Sequence, residues 1–321
     1  MAESIKDIAA TLLGAKSVLI LTHARPDGDA LGSSFGMRQW LRDRGIEAEV
    51  FLLDAPPKRY SNLCRGYIST FPDFDKFDRI LVLDCANFNR IGFPDLDAIP
   101  LDKLCNVDHH VSNSICGKDN FVDDNASSCC EIAAKIATFD EATLSKECAT
   151  LLLLGIITDT GSFRFSNTGS GALRIAAQLI DAGADLETLV NAAYFSDTFD
   201  QLKMEAEVTN QIKLAFSGRL AYAFLSDELL EKYHFDLKES ENVIDLLRRI
   251  DTVTIAILIY KRDDNFKLSL RSKDSRFPVL GIARKFNGGG HLLAGGATIC
   301  AKDFAEVERA MLEAVGEVLG K

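Results

Sequence analysis

The 321-residue chain holds five histidines, and four of them stand beside acidic or glycine-rich clusters. The first cluster is His23-Ala24-Arg25-Pro26-Asp27-Gly28-Asp29: one imidazole and two carboxylates on a loop stiffened by Pro26 and tightened by Gly28. Taken alone, Asp27 and Asp29 are as well explained as helix caps, the ordinary use of Asp before a helix. Asp84, the run Asp108-His109-His110 and Asp159 extend the set. A lone carboxylate at a strand end is usually a turn residue, but four separate elements ending in Asp or His make coincidence a poor account. The set offers carboxylates and imidazoles without a thiolate, which disfavours structural zinc and copper(I). More than four candidate ligands implies two divalent ions with one carboxylate between them. Such pairs, roughly 3.5–4 Å apart, clamp a phosphoryl centre and lower the pKa of water. Manganese fits best, because histidine stands among the oxygens, and magnesium is the alternative. Without ions these carboxylates repel one another and raise one another's pKa.

Elements of the right kind surround these residues. Short apolar runs at 18–21, 46–53, 79–83 and 104–107 predict strands. Helical spacing predicts helices at 30–44 (stopped by Gly45), 128–138, 142–158 and 171–182. Short strands separated by helices indicate an α/β fold with a parallel sheet, whose ligands gather beyond the carboxyl ends of the strands. His23 follows the first strand, Asp84 the third and Asp108 the fourth, while Asp159 ends the long apolar helix. From residue 220 the pattern restarts, with strands at 220–225, 252–260 and 266–270, a helix at 240–250 and a closing helix at 304–318. The expected division is a metal-binding domain over 1–187, a helical connector over 188–216 and a smaller α/β substrate-binding domain over 217–321, with a cleft between the domains.

Composition narrows the function classes. With 47% hydrophobic and 26% charged residues the chain has a soluble globular composition. A net charge of −11 argues against a protein that coats long nucleic acid, but not against a small phosphate ligand in a local pocket. Residues 261–285 carry eight basic side chains against Asp263, Asp264 and Asp274, a local reversal of sign. The longest apolar run, 151–157, is too short to span a bilayer. Met1 leads into Glu3, Lys6 and Asp7 rather than a basic leader, so the cytoplasm is the expected location. Eight cysteines contain no C-x-x-C pair and read as reduced thiols in or near the core. No G-x-x-x-x-G-K-S/T run supports an NTPase, and no organic cofactor is needed. His234, between Tyr233 and Phe235, reads as a structural or surface histidine.

In order, His23-x-x-x-Asp27-x-Asp29, Asp84, Asp108-His109-His110 and Asp159-Thr160-Gly161 resemble the four motifs of the DHH phosphoesterase superfamily. Gly288-Gly289-Gly290-His291-x-x-Ala294-Gly295-Gly296 resembles the signature of the DHH-associated C-terminal domain. The chain's size is similar to that of the small oligoribonucleases of the NrnA type. That resemblance implies hydrolysis of very short RNAs and linear dinucleotides, and of 3′-phosphoadenosine 5′-phosphate (pAp). It places His23, Asp27 and Asp84 on one ion, and Asp29, Asp84, His109 and Asp159 on the other, with Asp84 bridging. It sets His110 toward the phosphate or leaving group with Asp108 behind it. Arg271, Gly288, Gly289, Gly290 and His291 become the substrate grip, since guanidinium forks phosphate oxygens and glycine lets backbone N–H groups approach them. The implied partners are short RNA, dinucleotides and pAp, with no membrane and no long nucleic acid, and a homodimer is left open. A cyclic-dinucleotide phosphodiesterase, an inorganic pyrophosphatase and a non-enzymatic nucleotide sensor are the rival readings.

Overall fold

The structure, a computed structural model, describes residues 4–96, 98–237, 241–262 and 265–320. Ser240, the expected start of a helix, and Asp263 and Asp264 of the basic segment lie outside them. The chain forms two compact units, Met1–Ser196 and Asp197–Lys321.

In the first unit, β1 (Ser17–Leu21), β2 (Glu47–Phe51), β3 (Arg79–Leu83), β4 (Leu104–Asp108) and β5 (Asp119–Val122) form a parallel sheet in the order β2-β1-β3-β4-β5. Six helices accompany it: α1 (Ile5–Leu13), α2 (Gly28–Arg42), α3 (Cys129–Ala137), α4 (Lys146–Asp159), α5 (Ser170–Asp181) and α6 (Leu186–Tyr194). The class is the α/β fold read from the sequence. Strand order reverses between β1 and β3, the point at which open α/β sheets hold ligands.

Both faces of the sheet are covered, as the unbroken burial of β4 requires. Val18, Ile20, Leu81, Leu83 and Val107 face the helices, while Leu19, Leu21, Ile80, Val82 and Leu104 face the other way. That second face is closed by loops: among the described residues β2–β3 carries two 3-10 turns, Lys58–Tyr60 and Phe74–Lys76, and β3–β4 carries one, Phe88–Arg90. Aromatic side chains fill the gap, with Phe93 5.1 Å from Phe51 and 5.6 Å from Phe74 between ring centroids.

The heaviest helix contact, α2 on α4, depends on glycine at every fourth residue of α2. A Cβ on Gly28 would overlap Thr158, one on Gly32 the Leu151 carbonyl, and one on Gly36 the Leu152 side chain. From α4, Gly155 answers: its Cβ would overlap Cys130 Sγ and Asp29. The antiparallel seam therefore brings Asp29, on the first turn of α2, beside Asp159, the last residue of α4. Ser145 caps α4 by accepting the Cys148 N–H, which is why this helix starts later than residue 142.

The expected connector, 188–216, is divided between the units. α6 packs on α4 in the first unit, and α7 (Phe199–Gln211) packs on the second unit's sheet and on one of its helices. The second unit continues with β6 (Lys213–Ala215), β7 (Leu220–Leu225), α8 (Asp227–Lys232), α9 (Glu241–Arg248), β8 (Ile255–Arg262), β9 (Asn265–Ser272), α10 (Leu280–Lys285), β10 (Gly289–Gly290), β11 (Ala294–Ile299) and α11 (Phe304–Leu319). Its sheet runs β10-β11-β9-β8-β7-β6 and is antiparallel except for β7 with β8. One face packs on α10 and α11; over β7 and β8 the opposite face packs on α7, α8 and α9. On β9, Phe266, Leu268, Leu270 and Ser272 are buried, and Asn265, Lys267, Ser269 and Arg271 alternate with them on the more open face.

Gly155→Ala tests the glycine seam. Its methyl group must displace Cys130 and Asp29, so urea unfolding should show a loss of about 1–3 kcal/mol together with weaker metal binding. Gly281→Ala, in α10 with nothing within 4 Å of its Cβ position, is the control and should change little or stabilise. Equal stability of Gly155→Ala and wild type would contradict the close approach.

Candidate metal centre

Asp84 follows β3 and carries a left-handed backbone, φ 53°, which a residue with a Cβ adopts only where its surroundings enforce it. On one side β1 delivers His23; on the other β4 delivers Asp108, His109 and His110. The His23 Nδ1–H donates to the Ala24 carbonyl at 2.9 Å. Its Nε2 therefore faces the acids, 3.6 Å from Asp84 Oδ2 and 3.8 Å from Asp27 Oδ2. Asp27 is both cap and candidate ligand: Oδ1 accepts the Asp29 and Ala30 N–H groups at 3.1 and 3.0 Å, leaving Oδ2 for the cluster. Asp29 is held by the N-terminus of α3, accepting the Cys129 and Cys130 N–H groups at 2.7 and 2.9 Å. His109 Nε2 stands 3.4 Å from Asp84 Oδ1, 3.5 Å from Asp159 Oδ2 and 3.7 Å from Asp29 Oδ2.

These separations decide what the cluster fits. They exceed a normal hydrogen bond, and lie within a few tenths of an ångström of the roughly 3–3.5 Å between ligand atoms that share an ion at roughly 2.1 Å. Asp84 Oδ1 and His23 Nε2 are buried and have no hydrogen-bond partner among the described residues. A buried carboxylate oxygen and a buried imidazole nitrogen left without partners are costly unless cations satisfy them. Among the converging groups of donors are His23 with Asp27 and Asp84, Asp29 with His109 and Asp159, and Asp84 with Asp108, His109 and His110.

Behind this cluster a second network fixes the last histidine. Asp108 is fully buried; its Oδ1 accepts the His109 N–H at 2.8 Å and the His110 Nδ1–H at 2.7 Å, and its Oδ2 accepts from Asn113 Nδ2 at 2.6 Å. Arg90 Nη1 lies 3.3 Å from His110 Nε2. Guanidinium has no acceptor, so Nε2 receives that hydrogen and the proton of His110 sits on Nδ1. Sequence reasoning did not single out Arg90 or Asn113. Each is a lone polar residue in a loop, and no spacing marks it.

The remaining candidates lie in the second unit. Arg271 sits on the more open face of β9, with Nη1 donating to the Leu270 carbonyl at 3.1 Å. Its neighbours in the basic segment are engaged elsewhere: Arg276 pairs with Asp274, Lys285 with Glu317, and Lys273 donates to the Ile250 carbonyl. The three glycines differ in what they allow. Gly288 gives its N–H to Ala283 and lies against the backbone of β11, Gly290 has φ 135° and faces the Ala294 carbonyl, and only Gly289 has open space where a Cβ would be. His291 makes the turn into β11, its N–H donating to the Ala294 carbonyl at 2.7 Å. His234 is exposed after α8.

Residues 17–156 match the N-terminal domain of the DHH family, and residues 217–321 match the DHHA1 domain. The bifunctional oligoribonuclease and PAP phosphatase NrnA of Thermus thermophilus is 30% identical across 94% of this chain and 90% of its own. The chain belongs to the DHH family. The protein of the same description from Bacillus subtilis is also 30% identical, across 92% of this chain and 94% of its own. Among solved structures, an exopolyphosphatase-related protein from Bacteroides fragilis shares the fold, with a TM-score of 0.86 and 23% identity over 98% of this chain and 95% of that one.

Electrostatics of the metal-free DHH cluster are those of acids crowded together. Burial and the charge of Asp84 push the Asp29 carboxyl up to about 7. Burial and Asp29 hold Asp159 well above the usual carboxylate range. Burial opposes charge on Asp84 too, yet the His109 and His23 imidazoles outweigh it and hold this carboxyl well below its usual range. Burial disfavours charge on His109 and His23, but Asp84 leads the acids that outweigh it and raise both. These side chains thus carry protons near neutrality that a divalent cation would displace.

Both the central carboxylate and the crowding can be tested. Asp84→Asn keeps a residue tolerant of left-handed backbone but removes the central charge, so metal content and turnover should both fall below about a tenth of wild type without unfolding; retained turnover would contradict the assignment. Calorimetric titration with Mn2+ should show proton release and tighter binding as pH rises through the range around 7 where Asp29 titrates. An affinity independent of pH would contradict the crowded-acid description.

Proposed function

We propose that this DHH-family chain is a metal-dependent phosphoesterase that hydrolyses short oligoribonucleotides, linear dinucleotides among them, and pAp. One observation carries the proposal: the orphaned Asp84 Oδ1 and His23 Nε2 at the strand-order reversal, in a chain alike along nearly its whole length to two proteins named for both activities. His23, Asp27 and Asp84 would hold one ion, and Asp29, Asp84, His109 and Asp159 the other, Asp84 being shared. Manganese is the preferred metal and magnesium the second choice. Bound there, the ions supply Lewis-acid charge for the phosphoryl oxygens and activate the attacking water.

The chain's own groups do the rest. Asp108, pinned by Asn113, accepts the Nδ1–H of His110 and sets the ring so that Nε2 is the atom presented to the phosphate and the departing oxygen. In the second unit, Arg271 has donors beyond its one contact among the described residues, with the Leu270 carbonyl, and these would fork a phosphate of the substrate other than the reacting one. Gly289 leaves space for close approach of a ligand, and His291 stands on the adjoining turn. Residues 217–321 would thus serve as the substrate-binding domain and 1–187 as the catalytic one. A grip made of one compact patch in a protein of net charge −11 suits short substrates rather than a long basic track.

Arg271→Ala and His291→Ala should leave Mn2+ content unchanged. For Arg271→Ala, kcat/KM on pAp or a dinucleotide should fall roughly 10²-fold, while hydrolysis of bis-p-nitrophenyl phosphate, which offers no distal phosphate, changes far less. Equal losses on both substrates, or halved Mn2+ content, would contradict the division of roles. RNAs of about two to five nucleotides should be cleaved fastest, and equal processive digestion of long strands would count against it.

A further inference from the structure

Arg90 places a cation at the edge of the acidic cluster. It closes the 3-10 turn Phe88–Arg90, which Asn87 caps by accepting the Arg90 N–H at 3.2 Å. The Arg90 carbonyl accepts the Ala24 N–H at 2.7 Å, so this turn is tied to the loop that carries His23. Its side chain, half-buried, pairs with none of the acids: among the described residues no carboxylate lies within 4.0 Å of the guanidinium. Nη1 instead reaches His110 Nε2 at 3.3 Å, the ring atom turned away from Asp108. Five N–H donors are available on a guanidinium and this contact uses one of them. A half-buried cation that keeps donors in hand beside the outward atom of His110 is suited to an arriving anion.

The geometry points to Arg90 as a residue that contacts the reacting phosphate and sets the balance between the two substrate classes. The inference rests on the proposed phosphoesterase function. A phosphodiester carries a single negative charge, whereas a terminal monoester such as the 3′-phosphate of pAp carries roughly 1.5 to 2 near neutral pH. Coulombic attraction to one fixed cation scales with that charge. The monoester also presents one more non-bridging oxygen to the guanidinium fork. Arg90 therefore favours the monoester over the diester, and its transfer to phosphate oxygens frees His110 Nε2 to face the departing oxygen. The chemistry remains hydrolysis: a water oxygen bonds to phosphorus, the P–O bond to the leaving oxygen breaks, and that oxygen takes a proton.

The test compares the full-length Mn2+-loaded wild type, Arg90→Ala and Arg90→Lys on pAp and on the dinucleotide pApA, with Mn2+ content measured for each. Arg90→Ala should lose about 100-fold in kcat/KM on pAp but about tenfold or less on pApA, with Mn2+ content unchanged. Arg90→Lys, which keeps the charge without the fork, should recover part of the pAp rate, and added guanidinium ion should partly rescue Arg90→Ala. Equal losses on both substrates overturn the discrimination. An unchanged rate overturns the phosphate contact, and lost Mn2+ assigns Arg90 to the metal site instead. Wild type is assayed first; if it hydrolyses neither substrate, the phosphoesterase proposal itself fails and this inference falls with it.

Discussion

Like charges do not share a buried edge unless something of opposite sign joins them. Asp27, Asp29, Asp84 and Asp159 converge on the imidazoles of His23 and His109, and Asp84, buried at the middle of the group, keeps an oxygen that no described protein group satisfies. Much of the first unit serves to hold this arrangement. The N-terminus of α3 takes Asp29, the first turn of α2 takes one oxygen of Asp27, and the glycine seam of α2 on α4 lets Asp29 and Asp159 approach. Each device satisfies part of a carboxylate and leaves the rest facing inward. The remainder of their charge is what a divalent cation would neutralise.

The sequence made much of this legible because the ligands sit at the ends of well-marked elements. Arg79–Leu83 is apolar from end to end after its first residue, so Asp84 had to fall at its carboxyl edge, and the same reasoning placed Asp108. Asp27 was ambiguous between cap and ligand because it is both: its two oxygens do different work. Other features lacked a signal. The spacing of Gly28, Gly32 and Gly36 has no apolar period to announce a helix–helix seam. Asp119–Val122 is too short and too polar to read as a strand, and β10 and β11 were hidden because their glycines resemble a turn while pairing in register, Gly289 with Gly296. Arg90 and Asn113 gain meaning only when the chain folds Asp108 and His110 between them.

An acidic chain that takes an anionic substrate must reverse its sign locally. The proposed divalent ions would neutralise the clustered aspartates, and Arg90 in the first unit and Arg271 in the second are described cations that keep donors to spare. Their differing environments suit differing tasks. Arg90 adjoins the His110 atom proposed to face the reaction, whereas Arg271 stands on β9 between the small residues Ala294 and Ala256 of the neighbouring strands. Charge is therefore concentrated at contact points instead of spread along a track, which ties recognition to substrates with few phosphates.

Asp84 is proposed to join two ions through a single carboxylate. Electron paramagnetic resonance of the Mn2+-saturated protein, with metal content counted on the same sample, reads this directly. Two Mn2+ per chain with the broadened, exchange-coupled spectrum of a bridged pair is the predicted result. One Mn2+ per chain, or two giving the unbroadened hyperfine pattern of isolated ions, would contradict it.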